Sequence, residues 1–196
     1  MTLPECWIVM NTMTLAIGGA TMAQAAATCG VPCHVYVEVD KKREGYTKTI
    51  NRALAVATGT PYVCCINDDV SFPQQDWLRR LIEALEEDPR HGIAGPSGNC
   101  ATRQNRGRLG DARGIYELEY LSFFCTVFKR TVLDELGLLD EDFIHYGSDN
   151  DYCERARLAG WKCIWVRDIY VEHDRSPVIP DWKERDVRRF KEKWRS

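Results

Sequence analysis

Residues 34–71 read HVYVEVDKKREGYTKTINRALAVATGTPYVCCINDDVS, and this stretch decides the fold class. HVYVEV (34–39) and YVCCI (62–66) are short and rich in β-branched and aromatic residues, so both read as strands. Between them Tyr46, Ile50, Ala53, Leu54 and Ala57 recur at i, i+4, i+7, i+8 and i+11, one apolar face of a helix ended by Gly59 and Pro61. Strand, helix and strand in this order make a β-α-β unit, and such units build a parallel sheet covered by helices on both faces. Ligands of these sheets bind at the carboxyl ends of the strands. The NDD run (67–69) occupies such an end.

The alternation extends both ways. CWIVM (6–10) predicts an earlier strand, and Trp77, Leu78, Leu81, Ile82 and Leu85 predict an amphipathic helix stopped by Asp88-Pro89. Pro96 to Gly114 changes character, with four glycines, four arginines and almost no apolar residues, which predicts a long, flexible loop. YLSFFCTVF (120–128) and KCIWV (162–166) read as further strands, with a helix from about Asp149 to Ala159 between them. Trp182, Val187, Phe190 and Trp194 line a charged C-terminal helix. With no internal repeat and no linker, the expectation is a single α/β domain over residues 1–196.

Composition agrees with that reading. Lys and Arg number 26 against 29 Asp and Glu, a net charge of −3, and 44% of residues are apolar, which excludes a disordered chain. No apolar run approaches the roughly 20 residues of a membrane-spanning helix, and MTLPECWIVM lacks the pattern of a signal peptide, so a cytoplasmic protein is expected. Nine cysteines, an odd number without CxxC pairs, argue against a disulfide framework or a zinc site. Cys64 and Cys65, adjacent in one strand, should face opposite sides of the sheet.

Three constellations can carry chemistry. Asp68 and Asp69 are adjacent carboxylates after a buried strand, where they repel each other unless a hard divalent ion or hydrogen bonds compensate. A turn over Asn67 to Ser71 whose side chains cap the helix near Gln75 accounts for them equally well. In GSDNDYCERARLAGW, Asp149 and Asp151 stand near a helix start, where carboxylates gain from the helix dipole with or without a catalytic role. His173, in VEHDRS, is either structural or a metal ligand.

Read jointly, GYTKTINRALAVATGTPYVCCINDDVSFPQQDWLRRL, YLSFFCTVFKRTVLDELGLLDEDF, GSDNDYCERARLAGWKCIWV and VEH resemble family-two glycosyltransferases of the GT-A fold, over about Gly45 to His173. The resemblance implies a non-processive, inverting enzyme that moves a sugar from a nucleotide-diphosphate donor to a hydroxyl acceptor with Mn2+ or Mg2+. Residues 1–95 would form mainly the nucleotide-binding half and 115–196 the acceptor and catalytic half. NDD stands at the DXD-type motif, so Asp69 would bind metal while Asn67 and Asp68 would face the donor. GSDND stands where the family reads GEDxD, making Asp149 the general base and Asp151 a supporting carboxylate. His173 falls where some members place a further metal ligand, and Asp40 where an acidic residue often recognises the nucleoside base; a loop cap fits Asp40 as well.

The departures are specific. DKKRE (40–44) replaces the usual Asp, Ser and Gly after the second strand, Ser148 replaces a glutamate, and Phe123 stands where a small residue is common. FKEKW (190–194) only faintly matches the QxxRW signature of processive members. A nucleotidyltransferase would carry a glycine-rich phosphate loop after the first strand, and a phosphoacceptor receiver domain would carry its acidic pair near that strand. Two alternatives survive: a non-catalytic sugar-nucleotide module, and transfer to a modified DNA base, although acidic residues interrupt the basic C-terminal segment. A saccharide or glycoconjugate acceptor is the favoured expectation.

Overall fold

The computed structural model describes residues 3–99, 103–174 and 179–194. In chain order the elements are β1 (Cys6–Thr12), α1 (Leu15–Thr28), β2 (Cys33–Val39), α2 (Tyr46–Val56), β3 (Tyr62–Ile66), β4 (Val70–Ser71), α3 (Trp77–Leu85) and β5 (His91–Ser97). A short 3-10 helix (Arg103–Arg106) precedes β6 (Ile115–Leu118), β7 (Cys125–Lys129), α4 (Arg130–Leu136), α5 (Ser148–Leu158), β8 (Lys162–Tyr170), β9 (Glu172–His173) and α6 (Pro180–Trp194). Seven strands form one sheet in the order β2-β1-β3-β7-β5-β8-β6.

The sheet is mostly parallel. β1 pairs in parallel with β2 and β3, and β5 with β8, while β7 runs antiparallel between β3 and β5 and β6 runs antiparallel to β8 at the edge. The side-chain period of two divides the core into two layers. Ile8, Met10, Cys64 and Ile66 pack with Met22 and Ala25 of α1 and Trp77, Leu78 and Leu81 of α3. Val9, Val63 and Cys65 point the other way, onto Ile50 and Leu54 of α2, Val132 of α4 and Tyr152 and Ala156 of α5. Cys64 and Cys65 therefore do face opposite layers.

Among the elements missed in the reading of the sequence, α1 and β5 were hidden for identifiable reasons. α1 buries only Gly18, Met22 and Ala25 and exposes Leu15 and Ile17, so it shows no clean apolar stripe. β5 reads HGIAGPS, poor in β-branched residues, yet it is almost wholly buried. Its glycines allow close approach, since a Cβ on Gly92 would stand 3.0 Å from the Trp161 ring and one on Gly95 2.9 Å from the Gln104 amide. The strand expected over 120–128 is shorter and later, Cys125–Lys129, because residues 120–124 are taken by a loop whose Phe124 accepts from the Asn67 N–H at 2.9 Å.

The loop expected over Pro96 to Gly114 is corrected. Pro96 and Ser97 end β5, and fully buried Gln104 ties the 3-10 helix to Pro96 O at 3.0 Å and to the Ser122 N–H at 2.8 Å. Asp111 accepts from Arg167 at 2.9 Å, and Arg113 pairs with Glu87. One buried glutamine and two ion pairs thus fasten a segment whose composition alone reads as free; residues 100–102 of that expectation lie outside the described part.

One contact joins segments about a hundred residues apart, the start of α2 and the loop before α5. Gly45, at φ +94°, precedes α2, and a Cβ there would meet Ile144 O at 2.5 Å, while the Thr47 N–H donates to that same carbonyl at 3.1 Å. Gly45→Val is accordingly expected to destabilise the fold by about 3 kcal/mol, from a left-handed backbone and a backbone clash together. Thermal denaturation checks this: a melting temperature within 1 °C or so of the parent chain (about 0.3 kcal/mol at this size) contradicts the close approach.

Candidate active site

The carboxyl ends of β1 and β3 carry polar residues, Asn11 and Thr12 on one and Asn67, Asp68 and Asp69 after the other. Buried polar atoms without a hydrogen-bond partner collect at these strand ends and beside them: Asn11 Oδ1 in β1, Asn67 Oδ1 after β3, Thr47 Oγ1 in α2, His145 Nδ1 and His173 Nδ1. Buried polar atoms are nearly always satisfied in folded proteins, so such a group of them marks a place shaped for a polar ligand.

NDD is divided by its surroundings. Asp68 Oδ2 accepts from Thr12 Oγ1 at 2.6 Å and its carbonyl from Thr21 Oγ1 at 2.8 Å, which ties β3 to β1 and α1. The alternative reading holds in part: Asp68 and Asp69 form a turn, but β4 begins directly after it and α3, which starts at Trp77 behind Asp76, has no side-chain cap. β4 pairs antiparallel with β9, placing Val70 opposite His173. This miniature sheet brings residues a hundred positions apart into contact, with His173 Nε2 3.3 Å from Asp69 Oδ1. Phe124 stacks on the His173 ring at 5.1 Å, and Asn99 Oδ1 accepts from the His173 N–H at 2.7 Å, so the imidazole is held on several sides.

The fit to a divalent cation rests on that pair. A carboxylate oxygen and an imidazole nitrogen 3.3 Å apart stand at about the spacing of neighbouring ligands on an octahedral ion with bonds near 2.1 Å. No group of three or more His, Cys, Asp or Glu side chains arranged for a metal occurs among the described residues. A hard ion that keeps open positions for waters and phosphate oxygens suits a two-ligand site of this kind.

Asp149 lies in the first turn of α5, part-buried, with the Asn150 N–H donating to it at 2.8 Å. Burial lifts its carboxyl to about 6, against the opposing pull of backbone N–H groups of Asn150 and Phe123. Tyr46 of α2 lies close enough to feel its charge, and burial together with that charge raises the Tyr46 hydroxyl well above its usual range. His145 is lowered by burial, against the opposing charges of Asp186 and Asp69, which places it between the acidic pair and the C-terminal helix. Its ring packs against Tyr146 at 4.7 Å and Trp182 at 5.9 Å.

The remaining expected residues have other duties. Asp40 is buried and accepts from the Glu44 N–H at 2.9 Å and the Gly45 N–H at 3.0 Å, the loop-cap arrangement, which holds the turn into α2. Asp151 is fully buried and bonded to Arg155 at 3.0 Å, Trp194 Nε1 at 2.9 Å and Lys193 at 2.7 Å. Two residues of FKEKW therefore end on the second aspartate of GSDND. Thr12, Thr21 and Asp186 were not singled out from sequence. The polar end of CWIVMNT, a strand terminus, was the available signal for Thr12; Asp186 had none, being one acid in a charged helix.

Among solved structures, GalNAc-T7 crystallised with UDP, GalNAc and Mn2+ superposes with a TM-score of 0.71 at 12% identity, over 96% of this chain and 48% of that one. The mannosyltransferase PcManGT of Pyrobaculum calidifontis, in complex with GDP-Man and Mn2+, gives 0.68 at 17% identity over 98% of this chain and 65% of that one. TarS of S. aureus in complex with UDP gives 0.69 at 14% identity, over 94% and 63%. These likenesses establish the GT-A fold. In sequence, protein y4gI of Sinorhizobium fredii is 27% identical over 190 residues, 80% of this chain but 21% of that protein, so the chain spans about a fifth of that relative's length. No helix of the described residues is long and apolar enough to cross a membrane. Residues 20–137 match the family description glycosyl transferase family 2, and with more than half of its length inside that match the chain belongs to the family.

Proposed function

We propose that this domain transfers a sugar from a nucleotide-diphosphate donor to a hydroxyl acceptor, with inversion at the anomeric carbon and a requirement for Mn2+ or Mg2+. The observation that carries the reading is that Asp69, after β3, meets His173 from a hundred residues away through β4 and β9, with His145, four residues before Asp149, close enough to feel the Asp69 charge. A divalent ion on Asp69 and His173 would neutralise charge on the leaving diphosphate. Asn67 and Asp68 line the donor side, Asp68 braced by Thr12. Asp149 takes the acceptor hydroxyl proton as the oxygen attacks the face opposite the diphosphate. Asp40 and Asp151 shape the site from behind rather than touching substrate.

A saccharide acceptor fits better than a modified DNA base. DNA binding draws on free basic side chains, and half of those of α6 are paired, Arg189 with Asp142 at 2.7 Å, Lys193 with Asp140 at 2.7 Å and Arg185 with Asp186 at 3.1 Å, while the exposed Lys183, Arg188 and Lys191 are interspersed with exposed Glu184 and Glu192.

Differential thermal denaturation with UDP or GDP, with and without Mn2+, tests the reading. At a nucleotide concentration of 100 Kd the native state gains about 2.7 kcal/mol, and the gain should need metal and nucleotide together. No shift with either nucleotide plus metal counts against a donor site. Donor turnover into a hydroxyl acceptor separates an enzyme from a binding module, and a product anomer of the donor's own configuration overturns inversion.

A further inference from the structure

The loop that leads into α5 is held from outside by a side chain with no part in the family resemblance. Asp186 of α6 is fully buried. Its carboxylate accepts from three consecutive backbone N–H groups, those of Ile144 (3.0 and 3.1 Å), His145 (2.8 Å) and Tyr146 (2.9 Å). Successive N–H groups converging on one anion form a nest, which fixes the backbone dihedrals of the residues that supply it. Burying a carboxylate is costly unless such bonds compensate, so this acid serves a purpose that an apolar residue in the helix would not.

The nest stands one residue before Gly147, whose left-handed φ of +77° turns the chain into α5, and Asp149 is three residues past Tyr146. No side chain caps α5 at that turn. The other side of the loop is held where the Ile144 carbonyl accepts from the Thr47 N–H. The loop is thus clamped between the start of α2 and α6, and the direction in which α5 leaves it depends on both clamps.

We propose that Asp186 is a positioning residue for the site: by fixing the backbone of residues 144–146 it sets where Asp149 and the His145 ring stand. The proposal rests on Asp149 being the base. Asp186 touches no substrate and acts through the loop, whereas Arg189 and Lys193 of α6 pair with Asp140, Asp142 and Asp151, ahead of the nest or beyond Asp149.

The experiment compares Asp186→Ala and the milder Asp186→Asn with Arg189→Gln, all in the full chain. Amide hydrogen exchange over 144–146 should accelerate at least tenfold in Asp186→Ala, less in Asp186→Asn, and stay unchanged in Arg189→Gln. Mn2+ with UDP or GDP, measured by calorimetry, should bind within threefold of the parent chain in all three. Carbon-13 NMR of the Asp149 carboxyl should show its titration falling from about 6 toward the ordinary carboxylate range in the Asp186 variants only, as water reaches the loosened turn. With whichever of UDP-GalNAc or GDP-mannose is turned over, kcat should fall at least tenfold at unchanged donor KM. Faster exchange with the Asp149 titration and kcat both unmoved makes Asp186 a fastener of α6 and overturns the proposal. An equal loss in Arg189→Gln does the same. If Asp149→Asn itself leaves turnover intact, the base reading fails separately, and exchange with the titration still decides whether Asp186 sets the loop. Should Asp186→Ala not fold, Asp186→Asn carries the same readouts.

Discussion

Asp149→Asn is expected to lower turnover by about 100-fold or more while leaving the affinity for nucleotide and Mn2+ within a few-fold. The amide keeps the shape of the carboxylate but cannot take a proton, and Asp149 sits on α5 rather than on the β4–β9 pairing that brings Asp69 to His173. Because burial places its carboxyl at about 6, turnover of the parent enzyme should climb through pH 6 and level off above about 7. The same shift predicts a stability effect of opposite sense. A carboxyl that titrates higher in the native state than in the unfolded chain binds its proton more tightly when folded. Its contribution to stability is therefore lost as pH rises from about 4 through 6. Asp149→Asn removes that loss, so above pH 7 the variant should be the more stable protein, by on the order of 1 kcal/mol after discounting for partial exposure. In a chain of this size that is about 2–4 °C. Near pH 4 the two should melt together. An inactive variant that gains no stability at pH 7.5 would point to a lost structural bond, and near-normal turnover would place the base elsewhere. Asp151 is then a poor second choice, since both its oxygens are engaged by Arg155, Lys193 and Trp194.

Asp69→Ala should show the reverse emphasis: metal-dependent nucleotide binding falls by 100-fold or more, and turnover follows from it. Removing one of the two proposed ligands leaves His173 to hold a hard cation, and imidazole is the softer donor for Mn2+ or Mg2+. His173→Ala should cost less, about tenfold, because the carboxylate charge remains. Calorimetry with UDP or GDP at fixed Mn2+ reads both. The fold should tolerate Asp69→Ala, since the side chain supports no core packing. Unimpaired metal-dependent binding by the variant would defeat the assignment, as would full activity of the parent enzyme in excess chelator.

Much of the architecture follows from local sequence. YVCCI is a fully buried strand with the bounds that its apolar run implies, the helices Tyr46–Val56 and Trp77–Leu85 fall where their apolar spacing and their glycine or proline stops put them, and Ser148–Leu158 lies within a residue of the span expected for it. These readings succeed because a strand or helix buried on one face must show its period in the residues themselves. NDD and GSDND were legible for the same reason, as polar runs at the termini of such elements. Only the tertiary structure decided that β7 enters the sheet antiparallel between β3 and β5, that Gln104 fastens the arginine-rich segment, and that Asp69 meets His173 through β4 and β9. It also decided that Asp40 turns its carboxylate onto two backbone N–H groups, and that Asp186 holds the loop before Asp149. Each of these is a pairing between residues far apart in the chain, and a carboxylate on a polar helix or loop has the same local pattern whether its partner is water, a metal or three backbone N–H groups. The partner is chosen by packing, which brings it within bonding distance only after the strands and helices have taken their places.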